Sequence, residues 1–151
     1  MLNKHLRAMV NIINSNGGHV EQFIGDAIVA FFPGDTEISG KKAIEAAAQM
    51  RVLHNERMNN LSEKDIWFEI GIGLESGTLM AGTVKAGKRS EYVIIGHARE
   101  EAEKLEALSR FGRFTRILAG RQLCKILLSN DLVDLCDCEG FHELKSTEVK
   151  K

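Results

Sequence analysis

The chain has 151 residues, 44% of them hydrophobic and 27% charged, with a formal net charge of -1; that suits one domain over residues 1–151 with a real core. A near-neutral chain supplies no basic field, so nucleic acid is not an expected partner. No apolar run reaches the ~18–20 residues that span a bilayer, so no membrane segment is expected in this chain, and three cysteines, an odd number, fit a reducing cytoplasm better than a disulfide framework.

Leu2, Leu6, Met9, Val10 and Ile13 recur at helical spacing among Lys4, His5 and Arg7. They predict an amphipathic helix over 2–14, ended by Asn16-Gly17-Gly18, and no signal-peptide plan. Residues 17–32 read as two strands joined at Gly25-Asp26. Glycine tolerates positive φ there, and aspartate can bond its own backbone. The turn pushes the Asp26 carboxylate out at the tip of a hairpin whose flanks are expected to be buried. A hard cation favours such a ligand, although a turn aspartate needs no further job.

Pro33 to Ser39 is a loop, with Ser39 the expected N-cap of a helix over about 40–60. Its Ala43, Ala46, Ala47, Met50 and Leu53 give a face of mostly small residues, suited to lying close to a sheet or a second subunit. Residues 66–75 alternate and predict the clearest strand, with Gly71 and Gly73 on one face where another element can approach the backbone. Ser76-Gly77 turns the chain, Leu79–Thr83 is an unassigned apolar segment, and Lys85–Ser90 is a polar loop. A strand over Glu91–Ile95 ends at Gly96, and a helix follows over about His97–Arg110. Phe114–Leu118 is strand-like, Arg121–Leu128 is a short helix, and two short strands are expected near Leu132–Cys138 and Phe141–Lys145. Cys136-Asp137-Cys138 with His142 offers a C-x-C pair to a metal; without a second cysteine pair, buried or idle thiols are the expectation. This order of elements points to an α+β fold, an antiparallel sheet with helices on one face.

Three blocks taken in order resemble the catalytic domain of class III nucleotidyl cyclases, the adenylate and guanylate cyclases. They are Phe23-Ile-Gly-Asp-Ala-Ile-Val-Ala-Phe31; Ile70-Gly-Ile-Gly-Leu-Glu-Ser-Gly77 with Ala81-Gly82; and Arg89-Ser-Glu-Tyr-Val-Ile-Ile-Gly-His-Ala98 with Ala102 and Leu105-Glu106. The likeness covers residues 1–145. It implies a ferredoxin-like βαββαβ sandwich with added strands, dimerising head to tail with active sites in the cleft between two domains. The reaction it implies converts a purine nucleoside triphosphate into its 3′,5′-cyclic monophosphate and pyrophosphate. Two Mg²⁺ or Mn²⁺ ions, held by two carboxylates, would activate the 3′-hydroxyl and neutralise the phosphates.

By this resemblance Asp26 matches the second metal-binding aspartate. The first belongs to a strand ahead of the first helix, which is expected to be missing here. Gln22 matches one base-reading position, and glutamine can bond either purine. The other falls on Val93, which offers no hydrogen bond. Glu100 stands where the family has its ribose-orienting asparagine, and Lys104 where it has an arginine. A carboxylate there repels a polyanionic substrate, and lysine lacks the bidentate guanidinium fork. Spaced i, i+4, the two are expected simply to pair. Lys145 resembles the lysine that grips the triphosphate. The expectation is a degenerate or truncated cyclase homology domain, forming a homodimer or a heterodimer with another cyclase domain and making little cyclic nucleotide alone. Two rivals stand beside it: half of an active adenylate cyclase, needing Mg²⁺ or Mn²⁺ and completed by a partner or upstream segment, and a scaffold that binds no ligand.

Overall fold

The computed structural model describes residues 2–138 and 141–150. Helix α1, Leu2–Ser15, buries the stripe His5, Met9 and Ile13. Its end is closed by the Gly18 N–H, which donates to the Ile13 carbonyl at 2.9 Å.

Strands β1 (His19–Ile24) and β2 (Ala27–Phe31) form the expected antiparallel hairpin, turning through Gly25 at φ 62. Its flanks are not buried as expected: Phe23 and Ile24 remain 54% and 50% exposed. The reason is topological. Among the described residues the hairpin is a two-stranded sheet of its own, not built into a larger one.

Helix α2 spans Thr36–Asn59 and starts before Ser39, because Asp35 is the cap and accepts the Glu37 N–H at 3.1 Å. Ser39 instead lies inside the helix, its hydroxyl donating to the Thr36 carbonyl. Strand β3, Ile72–Leu74, is only the end of the strand expected over 66–75. It pairs in parallel with β6 (Ile117–Ala119), and among the described residues nothing pairs with its other edge. Alternation without a partner strand does not make a ladder.

The segments read as unassigned and as a loop, 79–83 and 85–90, are mostly one long hairpin. Strands β4 (Met80–Ala86) and β5 (Arg89–Ile95) pair from Met80↔Ile95 to Ala86↔Arg89, turning at Gly87 with φ 62. The polar Lys85–Ser90 stretch reads as loop because every residue of β4 is exposed, and no buried face marks the strand. Helix α3, His97–Leu108, runs into a single 3-10 turn at Ser109–Phe111. It crosses directly over β3, as Gly71 and Gly73 foreshadow: a Cβ at Gly73 would collide with the Ala102 carbonyl and the Glu106 N–H.

β6 begins later than the expected Phe114. The N–H groups of Arg113, Phe114 and Arg116 are drawn out of any ladder by the Glu143 carboxylate, at 2.8, 2.9 and 2.8 Å. Helix α4 (Arg121–Ser129) and strands β7 (Leu135–Cys138) and β8 (Phe141–Leu144) complete the chain, with sheet order β3-β6-β8-β7. The core joins Ile44 and Ala47 of α2 to Ile117 and Ala119 of β6, Leu123 and Leu127 of α4, and Leu144 of β8. The fold is the expected mixture of helices and mainly antiparallel strands. The Cys136–Cys138 pair weighed as a metal site lies outside the described residues at the side-chain level. Among the described residues, no helix is long and apolar enough to cross a membrane.

Candidate functional site

The unpaired edge of β2 and the unpaired edge of β3 line one cavity of about 550 Å³. Met9 and Ile13 of α1 and Ala98 and Ala102 of α3 line it as well. The chemistry-bearing groups on it are Glu21, Asp26, Arg99 and Glu106.

Glu21 fixes how the β1–β2 hairpin meets the rest of the molecule. Its side chain is 3% exposed; Oε1 accepts the Ile94 N–H of β5 at 3.1 Å, and Oε2 accepts Arg99 Nε of α3 at 3.2 Å. Arg99 also reaches Glu103 Oε1 at 2.9 Å. One carboxylate thus ties a hairpin, a second hairpin and a helix together. Sequence reading passed over Glu21 in favour of its neighbour Gln22; the only signal was an acid among the β-compatible residues of a strand.

Asp26 sits at the hairpin turn, exposed, and lines the same cavity as Glu106. Burial, and then the Asp26 charge, push the Glu106 carboxyl above its ordinary range. Neither carboxylate has an ion-pair partner among the described residues. A divalent cation takes six or more oxygens, commonly from two or more carboxylates. No group of three or more metal-ligating side chains is present among the described residues.

The other positions singled out in the sequence do not line this cavity. Gln22 stands opposite Val29 in the first hairpin, and Val93 opposite Gly82 in the second; Glu21 and Ile94, their chain neighbours, are hydrogen-bonded to each other. Glu100 lies exposed in the first turn of α3. Lys104 does not pair with it as expected. Its Nζ donates to Glu101 Oε1 at 2.6 Å, because i, i+3 brings Glu101 closer on the helix surface. Lys145 is exposed just beyond β8, its N–H donating to the Asp134 carbonyl.

A second polar cluster sits beside the cavity. His5, His54 and Phe68 pack edge to face, with His5–Phe68 and His5–His54 centroids 4.9 and 5.4 Å apart. Arg51 Nη1 and His54 Nε2 both reach Glu69 Oε1, at 2.7 and 3.1 Å. Burial, then His54 and Arg57, push His5 down to about 4, and burial with Arg51 lowers His54 as well. Burial thus disfavours the charged form of both rings, and His5 Nε2 is buried with no hydrogen-bond partner among the described residues.

No family model matches the chain. An adenylate cyclase from Anabaena cylindrica is 30% identical over 156 residues, covering 99% of this chain and 29% of that protein. The chain thus spans less than a third of this relative. The solved adenylyl cyclase CyaB from P. aeruginosa superposes with a TM-score of 0.77 at 21% identity, over 95% of this chain and 79% of that one. The guanylyl cyclase Cya2 gives 0.75 at 20% identity, over 99% and 80%. The fold is that of these cyclase domains.

Proposed function

The chain belongs to the class III nucleotidyl cyclases, and on that premise we propose that it is a regulatory cyclase homology domain that makes little or no cyclic nucleotide alone. The observation that carries this reading is the state of α3. Where the family steers its substrate, Glu100 presents an exposed carboxylate with no ion-pair partner among the described residues, and Lys104 is held by Glu101 at 2.6 Å. A like charge beside a triphosphate opposes binding, and a lysine cannot grip a phosphate with two parallel hydrogen bonds. Losing one such oriented group costs about 3–4 kcal/mol of barrier, and here several are altered together.

Its work is to pair with a second cyclase domain, either another copy or a competent partner. Apolar side chains on the two hairpins support this: Met80, Val84 and Tyr92 are 69%, 55% and 51% exposed, and Phe23 and Ile24 are 54% and 50% exposed. Such a patch calls for a protein surface. Mg²⁺ or Mn²⁺ and a purine nucleoside triphosphate would bind weakly at most, with Asp26 the matched carboxylate that would touch an ion, and a cytoplasmic placement goes with the reading. One observation favours the rival reading, half of an active adenylate cyclase: Asp26 still lines the cavity at the hairpin turn. Mixing tests the choice. Added to a competent class III cyclase domain, the chain should change that domain's rate without forming product at its own cleft. If the rate gain disappears with Asp26→Asn and returns with an upstream strand supplying a second aspartate, the rival is correct.

A further inference from the structure

We propose that the turn joining α3 to β6, Arg110-Phe-Gly-Arg-Phe114, is a docking tip for an anionic lipid surface, with the two phenyl rings entering the interface and the two guanidinium groups holding phosphate headgroups. The inference goes beyond the regulatory reading and does not rest on it. Its first support is charge. Between Glu106 and Asp131 the sequence has no acid, whereas Arg110, Arg113, Arg116, Arg121 and Lys125 all fall there, in a chain whose net charge is -1.

The second is what the turn presents. Phe111 and Phe114 are 60% and 54% exposed, and Arg110 and Arg113 are exposed with them. The Arg110 guanidinium lies over the Phe111 ring, 5.0 Å from its centre. Neither Arg110 nor Arg113 pairs with a carboxylate among the described residues. The carboxylates that do touch the segment are engaged otherwise: Glu143 is wholly buried on backbone N–H groups, and Glu69 meets Arg51 and Arg116.

The third is that the backbone of the tip is held while those side chains stay outside. Glu143 accepts the Arg113 and Phe114 N–H groups at 2.8 and 2.9 Å, and the buried Thr115 hydroxyl donates to the Leu144 carbonyl at 2.7 Å. Both anchors belong to β8. A tip fixed in advance loses little entropy on docking.

This chemistry fits a lipid interface better than a polypeptide. Residues 110–114 line neither the cavity of about 550 Å³ nor the smaller one beside α2, so the tip offers projecting side chains and no groove for a peptide. Aromatic rings favour the headgroup level of a bilayer, and a guanidinium fork pairs phosphate through parallel hydrogen bonds.

The probe is vesicles of phosphatidylcholine alone, compared with vesicles in which about a third of the lipid is phosphatidylserine. Co-sedimentation of the whole chain, without nucleotide or a second domain, reads the partitioning. The chain should bind the anionic vesicles, and less so as salt rises. Phe114→Ser should weaken binding about tenfold and Arg113→Gln about fivefold. Phe114→Leu should keep most of it, and Ile38→Ser, at an equally exposed apolar position on α2, should leave it unchanged. Circular dichroism checks the fold of each variant. If Phe114→Ser fails to fold, Arg110→Gln combined with Arg113→Gln carries the test, with a loss of roughly 25-fold. No binding, equal binding to both vesicles, binding indifferent to Phe114→Ser in a folded variant, or an equal loss with Ile38→Ser overturns the proposal. Polyglutamate that binds the chain with the same dependence on Phe114 assigns the tip to an acidic polypeptide and also overturns it.

Discussion

Glu21 accepts a hydrogen bond from Arg99 at 3.2 Å while its other oxygen holds the Ile94 N–H, so a single carboxylate sets the seat of the β1–β2 hairpin. Removing it leaves the Arg99 Nε and the sheltered Ile94 N–H without their acceptor, although Arg99 keeps Glu103. Glu21→Ala should destabilise the fold by about 3 kcal/mol, within the range for breaking a buried pair, and Glu21→Gln by roughly half of that because the amide oxygen still accepts one bond. Urea unfolding followed by far-UV circular dichroism measures both.

Glu143 predicts a larger loss. It is wholly buried and accepts N–H bonds from Arg113, Phe114 and Arg116, which is how the loop before β6 keeps Arg116 at φ 55. Glu143→Ala orphans three donors and should cost about 3–5 kcal/mol. Hydrogen exchange should show residues 113–119 opening first.

The pH dependence follows from the histidine pair. His5 falls from 6.5 to about 4 in the folded chain, through burial and then through His54 and Arg57. A depressed folded value means the unfolded chain binds the proton first. Stability is therefore complete above about 6.5 and is lost as pH falls from there toward about 4. His54, lowered too, steepens the same limb. The His5 contribution is at most about 3 kcal/mol. Replacing it, as in His5→Leu, should flatten the acid limb of a melting-temperature profile; an unchanged slope would show that other groups drive it.

The resemblance led to the fold because framework glycines carry geometry in single residues. Gly73 admits α3 against β3, and Gly25 turns the first hairpin; both stand in the blocks that carry the likeness. Sequence reading failed where structure depends on partners distant in the chain. The alternating run 66–71 looks like a strand, yet forms none without a neighbour. β4 was obscured because it has no buried side. Nothing local in the sequence shows that backbone N–H groups and arginines converge on Glu21, Glu143 and Glu69. At α3 the spacing of Glu100 and Lys104 suggested a pair, but Glu101, one residue on, holds the lysine.

That helix surface gives a further prediction. Glu101→Gln removes the Lys104 partner and should lower the raised Lys104 value, which NMR of the side-chain ammonium would register. Because the pair is exposed, stability should shift by less than about 1 kcal/mol. Turnover should not appear, as Glu100 remains.

The central claim is that this cyclase scaffold persists with its phosphate-steering groups altered. The direct measurement is cyclic nucleotide formed by the purified chain with Mn²⁺ and ATP or GTP. Product indistinguishable from a protein-free blank is expected for both nucleotides. Sustained turnover that is abolished by Asp26→Ala would contradict it.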